Sequence, residues 1–99
     1  MDFIQTISQF EDKIKDHYKY ELLETHYLPY SFGSGTIVYR LRGHNLKINF
    51  DGRDGLIEIQ LSPRQEKYPT DKWIIIFNGA PSVLFENGIE LIKNKLADH

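Results

Sequence analysis

The sequence predicts an α+β fold: an antiparallel sheet of four to five strands, mostly a meander, with an N-terminal and a C-terminal helix packed on one face. Three observations carry this. An apolar stripe of helical period opens the chain, three alternating segments follow in mutually consistent register, and a second helical stripe closes it.

Residues 2–18 form the first stripe. Phe3, Ile7, Phe10, Ile14 and Tyr18 recur at spacings of three and four, while Gln5, Gln9, Glu11, Asp12, Lys15 and Asp16 point away. Asp2 suits the N-cap. Residues 23–32 lose this period. Thr25, Tyr27, Tyr30 and Phe32 favour a strand, and Pro29 confines it to an edge or a bulge. After the turn at Gly33–Gly35, "TIVYRLR" and "NLKINF" alternate about a two-residue hairpin loop at Gly43-His44. "DGRDG" then turns the chain into "LIEIQL".

Those loops pair Leu41 with Leu46, Tyr39 with Ile48 and Ile37 with Phe50, and next Phe50 with Ile57, Ile48 with Ile59 and Leu46 with Leu61. Both registers keep every apolar side chain on one face, whereas a slip of one residue inverts the set. Residues 62–72 are a polar loop. "KWIIIF" at 72–77 is apolar at every position after the lysine, a pattern that calls for cover on both faces, or else for an interface. "NGAPS" ends that strand. Phe85, Ile89, Ile92 and Leu96 mark a helix over 83–97, with Gly88 as a weak point that could delay its start to Asn87 or Gly88 and leave "VLF" extended.

The 99 residues amount to one domain, 1–99. The cysteine-free composition excludes disulfides, thiolate catalysis and cysteine-ligated metal, and fits a reducing compartment. "MDFIQTISQFEDK" lacks a basic segment followed by an apolar run, and no stretch reaches 18 apolar residues. A cytoplasmic location and no membrane association are expected. The formal net charge is −2. Residues 25–72 hold seven Lys/Arg against five acids, and both ends are acidic. This is a weak field for nucleic acid.

The motifs that carry chemistry fail one after another. "SFGSGT" has no lysine and leads into a strand, so it is a turn rather than a phosphate loop. It is no nucleophile elbow either. "DGRDG" places Arg53 where a calcium loop needs a ligand oxygen. His17, His26, His44 and His99 form no paired metal-binding spacing. Glu21/Glu24 and Asp51/Asp54 sit at element ends rather than across a cleft. No cofactor and no catalysis are expected.

The outward sheet face is the candidate surface. The predicted registers set Arg40 opposite Lys47, Lys47 opposite Gln60, Glu58 opposite Asn49 and Arg42 opposite Asn45. Like charges opposed on a sheet need compensation, from Glu58 or from an anionic partner. Tyr39 and Phe50 point to the core, unlike the stacking aromatics of RNA-binding sheets. The expectation is a non-catalytic, cytosolic protein-binding module of the adaptor, dedicated-chaperone or inhibitor/immunity kind. Its interface is placed on Arg40, Arg42, Lys47, Glu58 and Gln60, with another protein or a second copy as partner. Single-stranded nucleic acid on Arg40, Arg42 and Lys47, helped by Tyr27, Tyr30 or Tyr68, is the alternative. A small-molecule enzyme ranks below both.

Overall fold

Helix α1 (Phe3–Ile14) begins where the sequence marks it. The Asp2 carboxylate accepts from the Gln5 amide at 2.7 Å, and the Gln5 side chain accepts from the Asp2 amide at 3.0 Å. This reciprocal box satisfies two of the orphan donors of the first turn. A computed structural model describes residues 2–98. Phe3, Ile7, Phe10 and Ile14 are all buried. The helix stops at Ile14 rather than continuing to 18. The His17 and Tyr18 amides both close on the Ile14 carbonyl, so the tightened last turn keeps Tyr18 against the core while redirecting the chain.

Five strands follow as an antiparallel meander in the order β1-β2-β3-β4-β5. They are β1 (Tyr20–Leu28), β2 (Ser34–Leu41), β3 (His44–Asp51), β4 (Leu56–Leu61) and β5 (Ile74–Gly79). Strand β1 starts earlier than 23 and ends at Leu28, because Pro29 cannot donate to the ladder. Tyr30 to Phe32 form turns closed by the Ser31 amide on the Leu28 carbonyl and the Ser34 amide on the Ser31 carbonyl.

The β3–β4 register is the predicted one: Phe50 pairs with Ile57, Ile48 with Ile59 and Leu46 with Leu61. The β2–β3 register differs. Its loop is Arg42-Gly43, so Leu41 pairs with His44, Tyr39 with Leu46 and Ile37 with Ile48. Arg42 and Gly43 hold φ of 49° and 80°. Positive φ at both central residues is the twist that suits a two-residue hairpin. His44 is thereby drawn into β3 and buried, with Nδ1 2.9 Å from the Ser62 carbonyl oxygen. Each β2 residue meets a partner two positions earlier, an even displacement that leaves the inside–outside pattern intact.

Strand β5 lies at the sheet edge, and the expected cover on both faces is not found. Ile76 and Phe77 pack on the core, but Ile74 and Ile75 are 64% and 56% exposed. The C-terminal helical segment starts at Pro81, ahead of the predicted 83, and "VLF" is helical rather than extended. It comprises α2 (Pro81–Val83), a π-helical turn (Leu84–Gly88) and α3 (Ile89–Asp98). The Ile89 amide bonds the Leu84 carbonyl five residues back. That wider turn takes up Gly88 and rotates the stripe, so the fully buried residue is Leu84, with Phe85 at the margin.

Both helices close on the inner face, around Tyr39, Leu46, Ile48, Ile57 and Ile59. The Tyr39 hydroxyl donates to the Glu11 carboxylate on α1 at 2.8 Å. Burial first, and that carboxylate second, push the phenol above its ordinary value near 10. The folded chain therefore keeps a proton that the unfolded chain releases. The stabilisation is complete below about pH 10 and is lost as the pH climbs beyond it. Tyr39→Phe should cost about 1–2 kcal/mol at neutral pH. It should also flatten the loss of stability above pH 10, as read from urea midpoints across an alkaline series.

Candidate functional site

The outward face of the sheet divides into a covered half and an open half. The segment from Ser62 to Trp73 folds back over the first. Ser62 anchors it: its amide bonds the Asn45 carbonyl, and its hydroxyl accepts from the Asn45 amide at 2.8 Å. Farther along, the Glu66 carbonyl accepts from the Arg40 guanidinium at 3.3 Å and from the Asn45 side-chain amide at 3.0 Å. The segment ends with Trp73, whose ring centroid lies 4.4 Å from the Lys47 ammonium. Beneath it Val38 and Asn45 are buried, although both point away from the core.

Two of the cations expected at an interface are therefore engaged within the chain. Arg40 faces Asn45 rather than Lys47, donates to its side-chain oxygen at 3.0 Å and holds the loop, while Lys47 faces Val38. Arg42 leaves the face altogether; in the hairpin turn its guanidinium sits 5.9 Å from the centre of the Tyr18 ring. Glu58 and Gln60 lie on the face as predicted, opposite Asn49 and Lys47, and the Gln60 amide donates to Glu58 at 2.6 Å. The five residues do not form one patch.

The open half is a groove of about 560 Å³. Its floor is a row that crosses every strand: His26 pairs with Thr36, Thr36 with Asn49, Asn49 with Glu58, and Glu58 with Asn78. A second row, Leu28, Ser34, Asp51 and Leu56, borders it. Five strands at about 4.8 Å spacing make the row about 19 Å long. The Thr36 hydroxyl donates to the Asn49 side-chain oxygen at 2.8 Å. Among the described residues the charged lining is acidic, Asp51 and Glu58, without lysine or arginine. Leu28 and Leu56 supply exposed apolar shoulders.

Residue-by-residue reading of the sequence finds Glu58 but misses Thr36, Asn49 and Asn78. The available signal was the register: once β2, β3 and β4 are paired, the row follows. Its two ends depend on β1 and β5: the turn at Gly33–Gly35 announces the first without its register, and no turn motif announces the second.

The remaining titratable residues are dispersed. His26 is 2.7 Å from Glu24, His17 is 3.2 Å from the Lys93 ammonium, and His44 is buried beside Ser62. His99 lies outside the described residues. Asp51 accepts from the Arg53 and Asp54 amides and so braces its own turn. Among the described residues no helix is long and apolar enough to cross a membrane. No protein-family model matches the chain, and neither does any curated protein or solved structure.

Proposed function

We propose that the protein is a non-catalytic, cytosolic protein-binding module that takes an extended, basic segment of another protein in the open groove of its sheet. One observation carries the reading: the protein's own segment 62–73 already lies across the neighbouring half of the same face. It is held by two side chains of the sheet that donate to one of its backbone carbonyls, that of Glu66. The open half offers side-chain amides of the same kind in Asn49 and Asn78, and acceptor oxygens in Glu58, to a chain that would lie beside it. Asp51 and Glu58, with no lining cation, favour lysine or arginine on that segment. Leu28 and Leu56 suit its apolar side chains. The cysteine-free composition fits a reducing compartment.

Of the interface residues expected from sequence, Glu58 remains in this proposal, with the Gln60 amide donating to it. Arg40 and Lys47 instead hold the segment that covers the other half of the face. The test uses fluorescein-labelled peptides in which valine alternates with arginine or with glutamate. The arginine peptide should bind at least tenfold more tightly, a difference of about 1.4 kcal/mol. It should shift the amide resonances of Thr36, Asn49, Glu58 and Asn78. Glu58→Lys should abolish the preference while leaving the melting temperature within a few degrees. Equal affinity for the two peptides, or resonance shifts confined to other surfaces, would sink the reading.

A further inference from the structure

The order of side chains that the groove would select is set by its second row; this rests on the reading of the groove as a site for an extended basic segment. Leu28 pairs with Ser34, Asp51 pairs with Leu56, and the Gly35–Phe50 pair sets Ser34 beside Asp51. The two leucines stand on β1 and β4, three strand spacings or about 14 Å apart. Both are exposed and point to the open face. In an extended chain, side chains that face one way repeat about every 6.7 Å, so residues i and i+4 span about 13 Å. Residues i and i+2 reach only half as far, and i+3 faces away. A segment laid along the row therefore meets both leucines only with side chains four residues apart.

The side chain between those two, at i+2, arrives over the space between Ser34 and Asp51. Glu58 on β4 is the diagonal neighbour of Asp51, about 7–8 Å away. Oδ1 of Asp51 accepts from the Arg53 and Asp54 amides, and Oε1 of Glu58 accepts from Gln60. Each carboxylate has a second oxygen that can accept from a guest. A guanidinium donates from several N–H groups in a planar fork and can reach both carboxylates at once, whereas an ammonium is a point charge. On the far side of the row the Arg53 guanidinium lies against Phe32, 5.8 Å from the ring centre. A guest cation leaning that way meets a like charge, so Glu58 is the favoured side.

We propose that the bound segment carries the order apolar-x-Arg-x-apolar, with the arginine and both apolar side chains on the face toward the sheet. The apolar residues sit on Leu28 and Leu56, and the arginine bridges Asp51 and Glu58.

Fluorescence anisotropy with labelled peptides tests this. The first peptide reads Ser-Leu-Ser-Arg-Ser-Leu-Ser. The second, Ser-Leu-Arg-Ser-Ser-Leu-Ser, has the same composition but turns its arginine away from the sheet. The third replaces the arginine of the first with lysine. The first should bind about tenfold more tightly than the second and about threefold more tightly than the third. Leu56→Ser changes an exposed shoulder and should leave the melting temperature within a few degrees. It should weaken the first peptide about fivefold, yet leave unchanged a version with serine at both leucines. Equal binding of the first two peptides, both still preferred over a glutamate counterpart, would overturn the order and leave the basic-segment reading standing. So would a Leu56→Ser protein that weakens the leucine and serine versions alike. Failure of every arginine peptide to bind would remove the basic-segment reading, and the order with it.

Discussion

Phe10→Ala should cost about 3–5 kcal/mol, the range for emptying an aromatic site in a packed core. A domain of this size has only about 5–15 kcal/mol in hand, so the variant should melt on the order of 20 °C lower or fail to fold at 37 °C. Phe10 is fully buried at the middle of α1, with its ring centroid 6.0 Å from that of Tyr39. No sequence neighbour can fill the space, because the other buried residues of α1, Phe3, Thr6, Ile7 and Ile14, hold their own places along the helix. The cavity would also loosen the bond between Tyr39 and Glu11 that ties the same helix to β2. Urea unfolding should show a lower midpoint with an unchanged slope. Ile4→Ala, on the solvent side of α1 with 62% exposure, is the internal control and should stay within about 0.5 kcal/mol. A loss at Ile4 equal to that at Phe10 would mean that α1 is rotated from the position described.

How much of this was legible in the sequence follows the range of each interaction. The stripe of α1 and the β3–β4 pairing are set by neighbours three to fifteen residues apart, and both were readable. The β2–β3 loop was misplaced by one residue because glycine at 43 serves either position of a two-residue turn. The choice fell to Arg42, which accepts a positive φ, and to His44, which the Ser62 carbonyl draws inward. Parity survived that error, so the core was still assigned correctly, but the charge pairs were not. Arg40 moved from Lys47 to Asn45, and Arg42 left the face. The role of residues 62–73 was beyond reach for a different reason. Their polar composition describes a solvated loop equally well, and what pins them is a backbone carbonyl at Glu66, which has no sequence signature. Likewise "WIIIF" announces its apolar character but not its place at the edge, which depends on the whole strand order.

Gly52→Ala should be the most damaging single-methyl change. A Cβ at this position would stand 1.9 Å from the carbonyl oxygen of Phe32. The obstacle is backbone, so no side-chain rotation relieves it. The β1–β2 turn and the β3–β4 turn meet at this point: the Gly52 amide donates to the Ser34 hydroxyl at 2.9 Å, and the Arg53 guanidinium lies 5.8 Å from the centre of the Phe32 ring. Phe32 already holds a left-handed φ of 58°, an uncommon conformation for a bulky residue, and is itself 70% exposed. It has little room to give way. Forcing the two turns apart should cost about 3 kcal/mol, at the upper end for overpacking. The effect should not stop at stability. Ser34 and Asp51 flank this contact and line the groove, so the displaced turns would also move its wall. If that groove takes a basic segment, Gly52→Ala should weaken peptide binding at temperatures where the variant is still fully folded, whereas Phe10→Ala, acting from the opposite face, should leave the affinity of the folded fraction unchanged. Measuring both variants well below their melting points separates the two effects. Equal loss of affinity in each would mean that the groove reports only global stability, and that its shape does not depend on how the two turns are locked together.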